Sequence, residues 1–251
     1  MSEGVGGPLV TIAVPSLNQG RFLEEALESI AQQDVPVEVF VADAGSTDGS
    51  VEIIERWSDR LAGWRSHPDG GQASAINESI AKGSAPYVGW LNSDDLMLPG
   101  MLRRLVQALE SNPRWPAAYG RVSNFDDRTG RRWPVWVEPF SSRRMALRCI
   151  VSQPGSLIRR SAWEAVGGVD ESLHMAMDYD LWWRLAERFG PPGMIDDEVA
   201  LNRVHDATKT RRFRRRHYAE AMAVVRRHYG RVPLKWWLAQ PYAGWYKSIL
   251  G

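Results

Sequence analysis

The chain has 251 residues, of which 44% are hydrophobic and 24% are charged, and its formal net charge is +1. These values are close to the averages of soluble domains, so they argue against disordered, collagen-like and disulfide-scaffold proteins. The single cysteine, Cys149, cannot form an internal disulfide, which favours a reducing, cytoplasmic setting. We expect no secretory signal, because the first residues lack a basic region and contain only a short apolar run. We expect no membrane-spanning helix, because no stretch approaches roughly 18 consecutive apolar residues.

Strands and helices alternate over the first half of the sequence. Short apolar runs rich in β-branched residues are typical of buried strands, and the amphipathic segments between them are typical of helices. The predicted strands are 9–16, 37–43 and 86–92, and the predicted helices are 20–33, 48–57, 72–82 and 99–110. This alternation predicts an α/β fold with a doubly wound, mostly parallel sheet and helices on both faces.

The second half departs from this alternation. The predicted elements are a hairpin at 117–137 that turns at 127–130, a strand, short helix and loop at 153–172, an amphipathic helix at 178–190, a short β region ending near His205, and a basic helix at 211–229. We find no internal repeat and no low-complexity linker between them.

Acidic side chains follow two of the predicted strands. Asp43 ends the strand at 37–43, and Asp94 and Asp95 follow the strand at 86–92. Ligands of open α/β sheets bind outside the carboxyl ends of the strands, so we expect these carboxylates to share one edge. Adjacent carboxylates suit Mg²⁺ or Mn²⁺ carrying a diphosphate, although a solvated turn favours the same residue types. The P-loop and dinucleotide glycine motifs are lacking, so an anionic ligand would be held through a metal.

Several motifs occur in a fixed order between about residues 9 and 210. They are TIAVPSLNQGRFLEEALESIAQQ, VEVFVADAGSTDGSVEII, HPDGGQASAINESIAKGSAPYVGWLNSDDLMLPG and DESLHMAMDYDLWWRLA. Their order and spacing resemble those of family 2 glycosyltransferases, which have the GT-A fold. The resemblance implies a glycosyltransferase domain at 1–210, with a nucleotide-binding half at about 9–112 and a smaller acceptor-side β/α half at about 113–210. Residues 211–251 would form a basic, aromatic C-terminal helical extension.

The resemblance assigns several residues to a nucleotide-sugar donor. Pro15 and Ser16 match the strand end whose backbone meets the base. Asp43 matches the carboxylate that hydrogen-bonds the base, commonly uracil or thymine, and an Asx-turn in the loop is the alternative. Asp69 and Gln72 match a loop beside the nucleotide, with capping of the following helix as the alternative. The implied donor is a nucleoside-diphosphate sugar, with UDP or dTDP favoured and GDP also compatible.

The resemblance also implies a divalent metal, Mn²⁺ or Mg²⁺. Asp94 and Asp95 match the metal and ribose motif, although Asn92 stands where many members have the first Asp. We therefore expect Asp95 to bind the metal and Asp94 to bind the ribose or share the metal. His205 matches a C-terminal histidine that approaches the metal or the diphosphate, and an ordinary surface or core histidine is the alternative.

The resemblance places a catalytic base at Asp178, at the start of the helix 178–190. Met177 stands where members often have Glu, Asp180 competes for the same role, and helix capping is a further alternative for Asp178. Gly155 resembles part of the loop that lines the donor sugar and the acceptor, where a glycine allows close backbone approach. The implied chemistry is attack by an acceptor hydroxyl with inversion at the anomeric carbon.

These features together predict a metal-dependent, inverting glycosyltransferase. Its acceptor would be a hydroxyl of a glycan or of a lipid-linked molecule in surface polysaccharide or glycolipid biosynthesis. One alternative is a sugar-1-phosphate nucleotidyltransferase, but the glycine-rich, Arg-containing loop of that class is absent after the first strand. The other is a module that binds nucleotide sugar or glycan without turnover, which a donor-hydrolysis assay would distinguish.

The C-terminal segment is densely basic and aromatic. Seven arginines lie between Arg211 and Arg227, and Trp and Tyr residues follow from Trp236 to Tyr246. Such a segment suits the interface of an anionic membrane, which would make the protein peripheral on the cytoplasmic face. The alternative is that the segment packs against the domain with its arginines solvated. We expect no nucleic-acid partner, because neither a known binding fold nor basic residues elsewhere support one.

Overall fold

The computed structural model describes residues 7–206 and 208–240, without the side chains of residues 211, 239 and 240, and these residues contain one mixed sheet. Its strands are β1 (Val10–Ser16), β2 (Val37–Asp43), β3 (Gly63–Ser66), β4 (Tyr87–Trp90), β5 (Leu96–Met97), β6 (Ala117–Asp126), β7 (Arg132–Pro134), β8 (Ser156–Arg159) and β9 (Gly193–Val204). Their spatial order is β3-β2-β1-β4-β8-β6-β9-β5, with β7 paired to β6. The predicted hairpin is therefore formed by β6 and β7.

Helices cover both faces of this sheet, as predicted. They are α1 (Gly20–Ala31), α2 (Ser50–Trp57), α3 (Gln72–Lys82), α4 (Met101–Ser111), α5 (Ser142–Met145), α6 (Arg160–Val166), α7 (Met177–Phe189), α8 (Lys209–Arg212), α9 (Arg214–Tyr229) and α10 (Leu234–Gln240), with 3-10 turns at Ser58–Arg60 and Gln153–Gly155. One apolar layer holds side chains from α1, α2 and α4, and the other holds side chains from α3, α6, α7 and α9.

Parallel pairing gathers the strand ends that carry the predicted site. β3, β2, β1 and β4 are all parallel, and Ser16 at the end of β1 stands in register with Asp43 at the end of β2. β8 then runs antiparallel between β4 and β6, while β6 and β9 are parallel. The carboxyl ends of β1, β2 and β4 therefore meet at one edge of the sheet, where the sequence predicted the carboxylates.

The basic segment packs against the protein over the residues that the structure describes. The predicted helix 211–229 is split at Phe213 into α8 and α9, and Met222 and Val225 of α9 are buried in the same layer as α7. Trp236 is also buried, and its indole Nε1 donates a hydrogen bond to the carbonyl of Ala146 at 2.8 Å. The predicted aromatic residues Tyr242, Trp245 and Tyr246 lie outside the described residues. None of the described helices is long and apolar enough to span a bilayer.

A buried ion-pair cluster joins α7 to α9. The Asp180 side chain is fully buried and accepts hydrogen bonds from Arg184 Nε at 2.6 Å and Arg227 Nη1 at 3.1 Å. His228 Nε2 lies 2.9 Å from Asp180 Oδ1, and its Nδ1 lies 2.9 Å from Glu187 Oε1. Burial alone would lower the pKa of His228, but the hydrogen bonds to Asp180 and Glu187 outweigh it, so the pKa is raised.

The raised pKa of His228 predicts a pH-dependent loss of stability. The protonated imidazole is favoured in the folded state, so its contribution is present below the unfolded pKa and is lost as the pH rises through the folded pKa. Urea unfolding measures this at about pH 6 and about pH 8.5. Between these pH values the free energy of unfolding of the wild type should fall by on the order of 1 kcal/mol more than that of His228→Gln. The exposed His67→Gln is the matched control and should follow the wild type.

Candidate active site

A cleft of about 800 Å³ opens at the carboxyl ends of β1, β2 and β4. Its walls come from the loops after these strands, the 3-10 turn at Gln153–Gly155, the start of α7 and the segment leading into α8 and α9. The predicted site residues that line it are Pro15, Ser16, Asp69, Gln72, Asp94, Asp95 and Asp178. The topology thus brings most of the sequence-predicted site into one cavity.

Asp94 lines the cleft and is paired with His205, which lies beside it but is not part of the cleft lining. His205 Nε2 lies 3.0 Å from Asp94 Oδ2, and the His205 ring packs against Phe22 with ring centroids 4.7 Å apart. Across the described residues, no three His, Cys, Asp or Glu side chains converge as a ready-made metal site. A cation at this pair would therefore need further oxygen ligands, which a diphosphate can supply.

Asp95 is more deeply buried than Asp94 and is engaged by the protein itself. Its Oδ1 accepts the backbone N–H of Arg203 at 2.9 Å, and its Oδ2 accepts Asn92 Nδ2 at 3.0 Å. Burial, and then the neighbouring charge of Asp94, raise the pKa of Asp95 well above its ordinary value. Asp94 rather than Asp95 stands beside His205. Which of the two aspartates binds a metal stays a prediction.

Arg203 supports the acidic turn, which is formed by Asp94 and Asp95. A role for Arg203 was not predicted from the sequence. Its side chain is 3% exposed, and Nε donates to the carbonyl of Asp94 at 2.9 Å while Nη1 donates to Asp127 Oδ1 at 2.6 Å. A further ion pair joins it to Glu25, and the guanidinium also lies over the Phe22 ring. The local sequence offers no distinct signal, because β9 contains other charged and polar residues besides Arg203.

A chain of amides links α8 to the acidic turn. Gln72 Nε2 donates to Asn92 Oδ1 at 2.7 Å, and Gln72 Oε1 accepts Lys209 Nζ at 2.9 Å. Gln72 therefore faces the cleft, as expected for a residue beside the nucleotide. Burial lowers the pKa of Lys209, which lines the same cleft and was not predicted from sequence.

Asp178 lies at the first turn of α7 and faces the cleft. Its Oδ1 accepts the backbone N–H of Tyr179 at 2.8 Å, and burial raises the pKa of its carboxyl. The competing residue, Asp180, is turned away into the ion-pair cluster between α7 and α9 and does not line the cleft. Geometry thus separates two carboxylates that sequence alone left as alternatives.

Three predicted site residues, Asp43, Gly155 and His205, do not line the cleft themselves, and their roles stay predictions. The Asp43 side chain is fully buried, and it accepts hydrogen bonds from the backbone N–H groups of Gly45 and Ser46 and from the Ser66 hydroxyl at 3.0, 2.8 and 2.7 Å. This is the Asx-turn alternative, and contact between Asp43 and a base remains a prediction. A Cβ on Gly155 would lie 2.6 Å from a methyl of Val122, so this glycine permits close packing of the sheet rather than of a ligand.

Residues next to Asp43 and Gly155 in the sequence line the cleft. Ala44 lines the cleft after Asp43, and Gln153 and Pro154 line it before Gly155. Gln153 is fixed by donating Nε2 to the carbonyl of Trp90 at 2.7 Å. Asp69 is in the cleft wall but is held by Arg65 Nη2 at 2.8 Å and by the Gly71 N–H at 2.7 Å, so it also organises the start of α3.

Comparison with known proteins identifies the family. The sequence profile described as "Glycosyl transferase family 2" matches residues 11–167. The chain belongs to glycosyltransferase family 2. The chain is 27% identical over 205 residues to a chondroitin synthase of Escherichia coli, which covers 78% of the chain and 29% of that protein. It is 27% identical over 222 residues to an uncharacterised glycosyltransferase of Rickettsia typhi, which covers 84% of the chain and 68% of that protein.

Solved structures support the same fold assignment. The mannosyltransferase PcManGT from Pyrobaculum calidifontis, in complex with GDP-Man and Mn²⁺, has a TM-score of 0.68 at 22% identity, covering 97% of this chain and 72% of that one. S. aureus TarS 1-349 in complex with UDP-GlcNAc has a TM-score of 0.68 at 17% identity, covering 88% of this chain and 66% of that one. The fold is GT-A, and the family 2 chain is a glycosyltransferase enzyme. It spans between 19% and 29% of the length of the bacterial synthases it matches.

Proposed function

We propose that this glycosyltransferase moves a sugar from a nucleoside-diphosphate sugar to a hydroxyl of a glycan or lipid-linked acceptor, with inversion. The observation that carries the proposal is that Asp94 and Asp178 line one cleft, with the His205 imidazole 3.0 Å from Asp94. Asp94 and His205 are suited to hold a diphosphate through a cation, and Asp178 is suited to accept a proton. Surface polysaccharide or glycolipid biosynthesis is the proposed setting.

The donor is proposed to lie along the ends of β1 and β2, beside Pro15 and Ser16. Ser16 Oγ is buried and has no hydrogen-bond partner among the described residues, so a ligand hydroxyl or carbonyl would satisfy it. The similar structures were obtained with UDP-GlcNAc and with GDP-Man, which supports a nucleotide sugar as the donor class. A pyrimidine nucleotide remains the favoured donor from the sequence, with GDP compatible.

Asp94 and His205 are the residues that would hold a divalent cation in this proposal, with the Asp95 carboxylate next to them. Carboxylate and imidazole ligands suit Mn²⁺, the ion present in the PcManGT complex. When bound, such an ion would neutralise charge that develops on the departing diphosphate. Lys209, a half-buried cation at the start of α8, lines the same cleft and would add positive charge near the leaving group.

Asp178 is proposed to be the general base. Its Oδ1 is occupied by the Tyr179 N–H, so Oδ2 is the oxygen that would take the proton of the acceptor hydroxyl. The hydroxyl oxygen then forms a bond to the anomeric carbon as the bond from that carbon to the diphosphate oxygen breaks. Burial raises the pKa of Asp178 and so makes its carboxylate a stronger base than an exposed one. Asp180 faces away from the cleft and is therefore not placed to act as a nucleophile.

Calorimetric titration of the protein with UDP, dTDP and GDP, each with Mn²⁺ and with EDTA, tests the donor site. We expect one nucleotide to bind only with Mn²⁺, and Asp94→Asn to weaken that binding about tenfold or more, because it removes a charged ligand. Asp59→Asn, at an exposed position in the 3-10 turn Ser58–Arg60, is the control. Failure of all three nucleotides to bind would contradict the proposal and favour a glycan-binding module.

Asp178→Asn tests the chemical step. Release of nucleoside diphosphate from the donor that binds should fall about 10²- to 10⁴-fold, while donor affinity and the urea unfolding midpoint stay close to wild type. Transfer of a nucleotidyl group, detected as pyrophosphate release, would instead indicate a nucleotidyltransferase. Unchanged turnover in Asp178→Asn would rule out this residue as the base.

Peripheral membrane contact is proposed for the exposed face of α10. Leu234, Trp237 and Leu238 are 70%, 55% and 70% exposed, and the pKa of Lys235 is lowered by burial and by the nearby charges of Arg148 and Arg144. Apolar side chains beside clustered cations suit an anionic bilayer surface. A cytoplasmic location, at the inner face of the membrane, fits this contact.

Co-sedimentation with phosphatidylcholine vesicles, with and without phosphatidylglycerol, measures this contact. We expect binding only to the anionic vesicles, weakening as salt is raised. Trp237→Ser combined with Leu238→Ser should reduce binding roughly tenfold or more because it removes the inserted apolar area. Trp64→Ser, at an exposed tryptophan of β3, should leave it unchanged. Equal binding by the double variant and the wild type would contradict the proposed surface.

A further inference from the structure

We infer that Glu220, on α9, is a positioning residue for the proposed base Asp178. The inference rests on the proposed function, because it concerns the residue that would take the acceptor proton. Glu220 lies in the basic C-terminal segment, which sequence analysis considered only as a membrane-binding or packing element. Its carboxylate instead holds the segment 174–176 that leads directly into α7.

One oxygen of Glu220 receives three consecutive backbone N–H groups. Oε2 accepts the amides of His174, Met175 and Ala176 at 3.0, 2.7 and 3.2 Å. Hydrogen bonds to a charged acceptor are stronger than bonds between neutral groups. Because α7 begins at Met177, this carboxylate determines where the first turn of the helix starts.

Glu220 is itself held in place from its other side. Oε1 accepts Arg216 Nε at 2.7 Å, and the Glu220 side chain is 13% exposed. Burial alone would raise the pKa of Glu220, but hydrogen bonds from the Met175 amide, Arg216 and the Ala176 amide outweigh it and lower the pKa, so the group stays ionised at neutral pH. The Asp180 ion-pair cluster ties α9 to α7 and so fixes the position of Glu220 relative to α7.

The backbone is what places the Asp178 carboxylate. His174 and Met175, which Glu220 holds, line the cleft themselves, and Asp178 follows Ala176 by two residues. The hydrogen bond that holds Asp178 Oδ1 comes from its own helical turn, the Tyr179 N–H. A shift of segment 174–176 would therefore move the base together with the cleft wall. Displacements of about 1 Å from a reactive geometry can cost about 10²-fold in rate.

The charge at Glu220 also balances the cations of the same region. Lys209, in the cleft, has a pKa lowered by burial, and the charge of Glu220 partly opposes this lowering. Glu220 thus connects three parts of the site: the helix that carries Arg216, the loop before Asp178 and the environment of Lys209. This combination distinguishes it from an ordinary surface ion pair, which is worth little.

Hydrogen exchange and steady-state kinetics on the full chain test the inference together. In Glu220→Ala, the amides of residues 174–176 should exchange about tenfold or more faster than in the wild type, because their acceptor is lost. The kcat for nucleoside diphosphate release should fall about 10- to 100-fold, with the KM for the donor changed less than about threefold. The exchange rates and the kcat of Glu220→Gln should lie between those of the wild type and those of Glu220→Ala, since the Gln carbonyl oxygen still accepts N–H groups.

Glu187→Ala is the matched control, because it removes a different contact between α7 and α9. It should leave both the exchange at 174–176 and the kcat near wild-type values. If Glu220→Ala is too unstable to purify, the same two measurements on Glu220→Gln decide the question.

Two results would overturn the inference. One is unchanged exchange at 174–176 in the Glu220 variants, which would show that the carboxylate does not hold the segment. The other is faster exchange with unchanged kcat, which would reduce Glu220 to a structural role. If the wild-type protein turns over no donor, the proposed function is refuted, and the positioning role with it. The wild-type assay alone therefore distinguishes failure of the proposed function from failure of this inference.

Discussion

A buried cation makes the acidic turn after β4 possible. Two adjacent carboxylates at the interior edge of a sheet repel each other and lose hydration, so each of them needs compensation from the protein. Arg203 supplies it by donating its backbone N–H to Asp95 and its guanidinium to the carbonyl of Asp94. Since Arg203 lies on β9 and the turn follows β4, the site depends on a strand more than a hundred residues away in the sequence.

The cleft is completed by parts of the chain that lie beyond the stretch matched by the family profile. That match ends at residue 167, whereas Asp178, Arg203, His205 and Lys209 all come later. The earlier part supplies the parallel strands and the floor of the cleft, and the later part supplies the proposed base and the cations. The apolar packing and ion pairs between α7 and α9 hold the later elements against the sheet.

Periodicity was sufficient to predict most of the fold. The strand and helix patterns of the first half, the hairpin and the helix containing Asp178 all appear close to their predicted positions, because each depends on local alternation of apolar residues. The break at Phe213 that separates α8 from α9 was not predicted, because an uninterrupted basic and apolar pattern gives no local signal of it.

The position of Asp94 in the cleft was predictable because it follows a parallel strand. Asp178 and Gln72, which the family resemblance assigned, also line the cleft, and the roles of all three stay predictions. Asp43 ends its strand as predicted, but its oxygens accept hydrogen bonds from the loop that follows it. Arg203 and Glu220 were missed because their partners are distant in sequence, and a single sequence carries no record of such pairs.

Burial and the neighbouring charge of Asp94 raise the pKa of Asp95, so its ionised form is less favourable in the acidic turn than in water. Burying this charge costs free energy that the rest of the fold must supply. A bound cation and its diphosphate would offset that cost, and a ligand that binds only the folded state raises the free energy of unfolding. If the proposed donor binds here, the folded fraction of the protein, and with it the resistance to degradation, would rise with donor concentration.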